Sequence, residues 1–247
     1  MFEPFSLMVI CLTFLLAGTV KGVVGLGLPT VSLAALAIFF DLPTAMALLI
    51  APSLITNVWQ ALIGGHFRAL LARLWPFLAV AALTVWVGGN GLKHLDLALL
   101  TGLLGASLII YAVISLGGWR LKIGATHERW AGPVFGAVNG ILTGLTGSFV
   151  VPGVMYLQSL GLSRDQLVQA MGLLFTVSTM ALAVALGTND LFPSQLALLS
   201  AGAVLPALLG MWVGQALRKS LSEVQFRRAL LIALLVLGVY ILSQSAL

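Results

Sequence analysis

Charge is what this chain has least of. Only 8% of its 247 residues are charged and 60% are hydrophobic, whereas a soluble domain carries about 25% charged residues. A water-facing surface cannot be covered with so few, so most of the surface must meet lipid. The single cysteine, Cys11, excludes an intrachain disulfide. His66, His94 and His127 lie far apart, and Asp41, Asp96, Asp165 and Asp190 flank the apolar runs rather than entering them. That argues against a metal centre and against a carboxylate pair for acid–base catalysis. No glycine-rich loop is followed by the Lys-Ser/Thr of a nucleotide site, so the chain reads as a non-enzyme with no cofactor. The net charge of +5 is spread over short loops; with no continuous basic face, it excludes nucleic acid as a partner. The opening MFEPFSLMVICLTFLLAG has no positive stretch ahead of its apolar run and reads as a retained membrane segment rather than a signal peptide.

Apolar length is abundant. Long runs cover 5–40, 42–64, 69–89, 95–117, 130–160, 163–187, 194–214 and 225–245, about eight hydrophobic segments of an all-α polytopic membrane protein. Most suit one crossing of a hydrocarbon core of about 30 Å. The first, as one helix, would reach about 54 Å. It and the fifth contain glycine clusters, GVVGLGLP at 22–29 and GILTGLTGSFVVP at 140–152, so each reads as a helix, a break and a shorter helix.

Charge decides whether the broken segments cross or turn back. If both turn back, the N-terminus lies outside. Arg68, Arg73, Arg120, Lys122, Arg129, Arg164, Arg218, Lys219, Arg227 and Arg228 then fall inside, with Lys93 outside and Lys21 at the first break. That distribution obeys the positive-inside rule, and single crossings would destroy it. Each half then holds one broken hairpin and three crossings, an odd number, which makes an inverted-topology repeat. The expected organisation is 1–118 as the first repeat, 119–129 as a cytoplasmic linker and 130–247 as the second repeat, with both termini outside. Gly22 and Gly140, Leu42 and Leu162, Ser53 and Thr176, and Thr56 and Thr179 recur in order at offsets of 118 to 123.

Polar groups inside the apolar runs mark a candidate site. A helix break at lipid depth must be buried in protein or line a cavity, and the resuming helix presents free N–H groups to an anion. These ends fall near Gly25, Gly27 and Thr30, and near Gly144, Gly147 and Ser148. The competing reading is that the glycines only allow helices to pack closely. Lys21 abuts the first break and Asn139 the second; Lys21 either contacts substrate or snorkels to the inner surface. Ser53, Thr56, Asn57 and Gln60 share one helical face, and Gln169, Thr176 and Thr179 form a sparser stripe. Either stripe lines a path or glues helices together. Trp75, Trp119, Trp130 and Trp212 read as interfacial anchors.

GTVKGVVGLGLPTVSL at 18–33, LPTAMALLIAPSLITNVWQAL at 42–62 and GAVNGILTGLTGSFVVPGVMYLQSLGLSRDQLVQAMG at 136–172 resemble the sulfite exporter TauE/SafE family of membrane transporters, over essentially the whole chain. The resemblance implies movement of sulfur-containing anions such as sulfite and sulfonates across the bacterial cytoplasmic membrane. It implies a site at Gly22, Gly25, Gly27, Gly140, Gly144 and Gly147 and the polar positions after them. The expected function is a secondary transporter of a small anion working by alternating access, with export favoured and the lipid bilayer as surroundings. Self-association into a homodimer is left open. A carrier of another small solute and a membrane scaffold or assembly factor are the rivals.

Overall fold

The computed structural model describes residues 3–119, 122–218, 220 and 222–245; Arg120 and Lys219 of the basic set lie outside the described residues. All regular structure among them is helical: α1 (Pro4–Val24), α2 (Leu28–Leu36), α3 (Leu42–Leu62), α4 (Phe67–Gly91), α5 (Leu97–Leu116), α6 (Ala125–Thr146), α7 (Gly153–Ser159), α8 (Arg164–Thr188), α9 (Ser194–Gly202), α10 (Val204–Leu217) and α11 (Glu223–Ser245). Seven stretches are long and apolar enough to cross a membrane, with α9 and α10 counting as one.

Local chemistry sets the helix ends. Pro4 opens α1, where a missing N–H costs nothing. Gly25 closes it at φ 82°, its N–H on the Lys21 carbonyl at 2.7 Å, a left-handed cap that glycine adopts without strain. Asp41 caps α3 by accepting from the Thr44 N–H at 2.8 Å. Ser163 and Gln166 cap α8 reciprocally. Two boundaries depart from the sequence reading. α6 starts at Ala125, inside the stretch assigned to the linker, with Glu128 in its first turn, where the helix dipole favours an acid. The seventh segment is two helices meeting at Ala203.

Both glycine-rich segments fold back on themselves. The Phe39 ring, beyond α2, meets Phe5 at the start of α1, edge to face with centroids 6.3 Å apart. The Ile123 N–H, just before α6, reaches the Ser159 carbonyl at the end of α7 at 3.2 Å. Helix direction follows from where the glycines touch. Gly18 lies on the Ala207 carbonyl and Gly22 on that of Met211, so α1 and α10 run parallel. Gly136 on the Phe77 carbonyl and Gly140 on that of Ala81 make α6 parallel to α4. α3 runs against α8, with Gly64 beside Gln169 and Ala61 beside Gly172, and α5 runs against α11, with Gly102 beside Ser245 and Gly105 beside Gly238. Glycine at such crossings lets backbones approach closely, which drives helix association in lipid.

The end of the bundle where α3, α5 and α10 finish is basic. There Arg73 Nε donates to Glu128 Oε2 at 2.9 Å, and Arg73 Nη2 donates to the Leu160 carbonyl at 3.2 Å, tying α4 to both arms of the second hairpin. Tyr156 of α7 is held between Phe77 and Phe135, with ring centroids 4.7 and 5.3 Å away. Arg164 and Arg227 border one cleft at this end, and Arg218 borders another.

Pro52, inside α3, has no N–H for the Leu48 carbonyl one turn back. The buried Ser200 hydroxyl on α9 makes up the deficit: it donates to the Leu48 carbonyl and accepts from the Ala51 N–H, both at 2.9 Å. Ser200→Ala leaves that carbonyl bare in a dry interior, at a cost of about 1–3 kcal/mol. A lowered melting temperature of the purified protein is the expected result; an unchanged one would show that α3 does not depend on this bond.

Candidate functional site

Lys21 occupies the last full turn of α1 and is only 4% exposed. Its ammonium does not snorkel: Nζ donates to Thr56 Oγ1 at 3.1 Å and to Asn57 Oδ1. Both acceptors sit on the face of α3 that carries Ser53 and Gln60, at helical spacing. The Thr56 hydroxyl donates in turn to the Pro52 carbonyl at 2.8 Å, which fixes its lone pair toward the lysine. Among the described residues no carboxylate pairs with Lys21. Several polar atoms on the same face of α3 have no partner among the described residues: Asn57 Nδ2, Ser53 Oγ and Gln60 Oε1 are buried and unbonded.

The lysine stands at one side of a cleft of about 290 Å³ lined by Gly22, Gly25, Thr56, Trp59, Gln60, Ile63, Val168, Met211, Gln215 and Arg218. That volume lies at the small end of ligand sites, about 300–1,000 Å³ for drug-sized molecules. Its floor is braced. Gln60 Nε2 donates to the Val168 carbonyl at 2.7 Å, and Gln169 Nε2 donates to the Ala61 carbonyl at 2.8 Å. Gln169 Oε1 accepts from the His66 N–H at 2.9 Å. The two glutamines clasp α3 to α8 at the basic end.

The structure brings together Lys21, Gly22, Gly25, Thr56, Asn57 and Gln60. Gly22 also serves as packing, since a methyl there would strike the Met211 carbonyl. Gly27 lies against Val20 and Leu230 and Thr30 is buried in the first turn of α2; neither borders the cleft. The second-half candidates stand apart, because the two breaks lie at opposite ends of the bundle: Gly25 is beside Val168 at the basic end, while Gly147 meets Met46 near the start of α3. Asn139 Oδ1 accepts from the Gly153 N–H at 3.0 Å, so the amide at the start of α7 is not bare. Gly140 and Gly144 lie on the Ala81 and Val85 carbonyls of α4. Thr176 and Thr179 donate to the Gly172 and Phe175 carbonyls of their own helix, at 2.7 and 2.6 Å. Ser148 is buried with its hydroxyl unbonded.

Sequence reasoning missed the contribution of α10. Gln215 and Arg218 line the cleft, and the one available signal was Gln215, a polar residue near the end of an apolar run. No His/Cys/Asp/Glu group able to hold a metal occurs among the described residues.

No curated protein and no solved structure matches the chain. The model of the sulfite exporter TauE/SafE family matches residues 10–241, nearly the full length, and the chain belongs to that family of membrane transporters.

Proposed function

We propose that this protein moves a small sulfur oxyanion or organosulfonate across the cytoplasmic membrane by alternating access, with export favoured. The observation that carries the reading is Lys21: a buried ammonium held by two neutral side chains, with no carboxylate on it among the described residues and unbonded donors on the same face of α3. An unpaired buried charge is costly, and an anion in the adjoining cleft would complete it. Asn57 Nδ2 and the Ser53 hydroxyl would replace part of the anion's hydration. Gln60 Oε1, an acceptor, suits a hydroxyl or a proton carried by the substrate.

The two halves, 1–118 and 130–247 about the linker 119–129, are read as inverted repeats. Exchanging them turns the parallel pair of α1 and α10 into that of α6 and α4, and leaves the antiparallel pairs of α3 with α8 and α5 with α11 in place. Single crossings of the broken segments would make those last two pairs parallel. The basic end is then cytoplasmic by the positive-inside rule, both termini are periplasmic, and the Lys21 cleft opens to the cytoplasm. An inside-negative potential favours anion exit by about 2.3 kcal/mol per charge per 100 mV.

A thermal-shift panel of sulfite, methanesulfonate, thiosulfate, sulfate, acetate and a neutral amine on the purified protein tests the reading, followed by flux in liposomes. The sulfur anions are expected to raise the melting temperature and to move across the bilayer. Stabilisation by the amine alone overturns the anion site. Absent flux with a co-purifying partner protein would favour a scaffold.

A further inference from the structure

Six buried side-chain atoms lack a hydrogen-bond partner among the described residues: Gln60 Oε1, Asn57 Nδ2, Ser53 Oγ, Ser178 Oγ, Asn139 Nδ2 and Ser148 Oγ. Orphaned polar groups of this kind are rare and call for an explanation. They are not scattered. Gln60, Asn57 and Ser53 climb one face of α3 from the basic end toward its middle. The antiparallel register that sets Gln60 on Val168 and Ala61 beside Gly172 carries Ser53 to the level of Ser178 on α8. Gly153, bonded to Asn139, lies against Leu174, one turn from Ser178. Phe149, next to Ser148, packs on Phe175 with centroids 5.8 Å apart, which ties the second break to the same stretch of α8. The orphans therefore follow one track, from the Lys21 cleft across the α3–α8 crossing to the far break.

We infer that Asn139, Ser148 and Ser178 form a second seat for the transported anion, across the α3–α8 crossing from the Lys21 cleft and on the side of the second break. The inference rests on the transporter reading. The residues supply donors of the kind that Asn57 and Ser53 supply at the first seat: one amide N–H₂ and two hydroxyls. Thr143, one turn on from Asn139, donates to the Ser148 carbonyl at 2.9 Å, which fixes the backbone that carries the Ser148 hydroxyl. None of these three side chains carries a charge. The second seat takes small oxyanions through neutral hydrogen bonds alone and holds them more weakly than the Lys21 seat, as suits a release site.

The test uses the double variant Ser148→Ala/Ser178→Ala in the full chain. Neither hydroxyl has a partner, so a purely structural role predicts no loss, and removing an unsatisfied buried group leaves stability equal or higher. The melting temperature is expected not to fall. Sulfite affinity in detergent, dominated by Lys21, is expected within about twofold of wild type, while sulfite counterflow in liposomes drops about tenfold or more, the worth of one or two hydrogen bonds at the barrier. A counterflow rate within about threefold of wild type, with sulfite binding intact, overturns the second seat and leaves the transporter reading standing. Wild-type protein that binds neither sulfite nor methanesulfonate removes that reading and this inference together.

Discussion

Lys21→Met is expected to lose sulfite and methanesulfonate binding by about a hundredfold, the worth of one charge-assisted bond of about 1.5–3 kcal/mol, without unfolding the protein. Methionine keeps the length and apolar stem of lysine and deletes only the ammonium. The structural cost is small because Thr56 keeps its bond to the Pro52 carbonyl, so the loss is confined to Asn57 Oδ1. Against that, a buried charge with no carboxylate on it among the described residues disappears, which stabilises the apo protein. Isothermal titration and apo melting together carry the test. Binding lost with melting held or raised is the signature of a ligand group. Wild-type affinity in the variant would show that the ammonium faces no substrate. Lys21→Arg is expected to fall between, since a rigid planar fork cannot repeat the geometry of a point charge against Thr56 and Asn57.

Much of this site was legible because membrane interiors punish polar residues. Lys21 in an apolar run, and Thr56, Asn57 and Gln60 on one helical face, stand out against leucine and alanine; the structure sets Thr56 and Asn57 on the Lys21 ammonium and places Lys21, Thr56 and Gln60 at one cleft. Spacing could not reveal depth. Two similar glycine clusters read as parts of one candidate site, yet α1 and α6 each run nearly a full crossing before they break, and the breaks end near opposite ends of the bundle. Nor could spacing separate a glycine that turns the chain from one that lets helices touch. Gly25 and Gly147 cap helices in the left-handed region, at φ 82° and 72°, whereas Gly140 and Gly144 hold ordinary helical backbone against α4. Ser178 was invisible because its significance lies in having no partner, which only packing discloses.

The largest effect on folding is expected at Gly140. A Cβ there meets the Ala81 carbonyl and Thr84 Oγ1. The first is backbone and cannot swing aside; the second already bonds the Val80 carbonyl at 2.8 Å. Gly140→Leu therefore pushes α6 off α4 along a seam that also holds Gly136 on the Phe77 carbonyl and Gly144 on that of Val85. Overpacking alone costs about 1–3 kcal/mol, and separating the helices forfeits the dispersion contacts that hold them together where no hydrophobic force exists between helices. Detergent extracts are expected to yield little monodisperse protein, and Gly22→Leu on the seam of α1 with α10 should behave alike. Gly187→Leu is the control: it lies on a helix too, but a Cβ there meets nothing within 4 Å, and it is expected to elute and melt as wild type. Should Gly140→Leu elute and melt like Gly187→Leu, α4 and α6 do not depend on backbone contact, and the close-packed seam would have to be abandoned as what holds the two helices together.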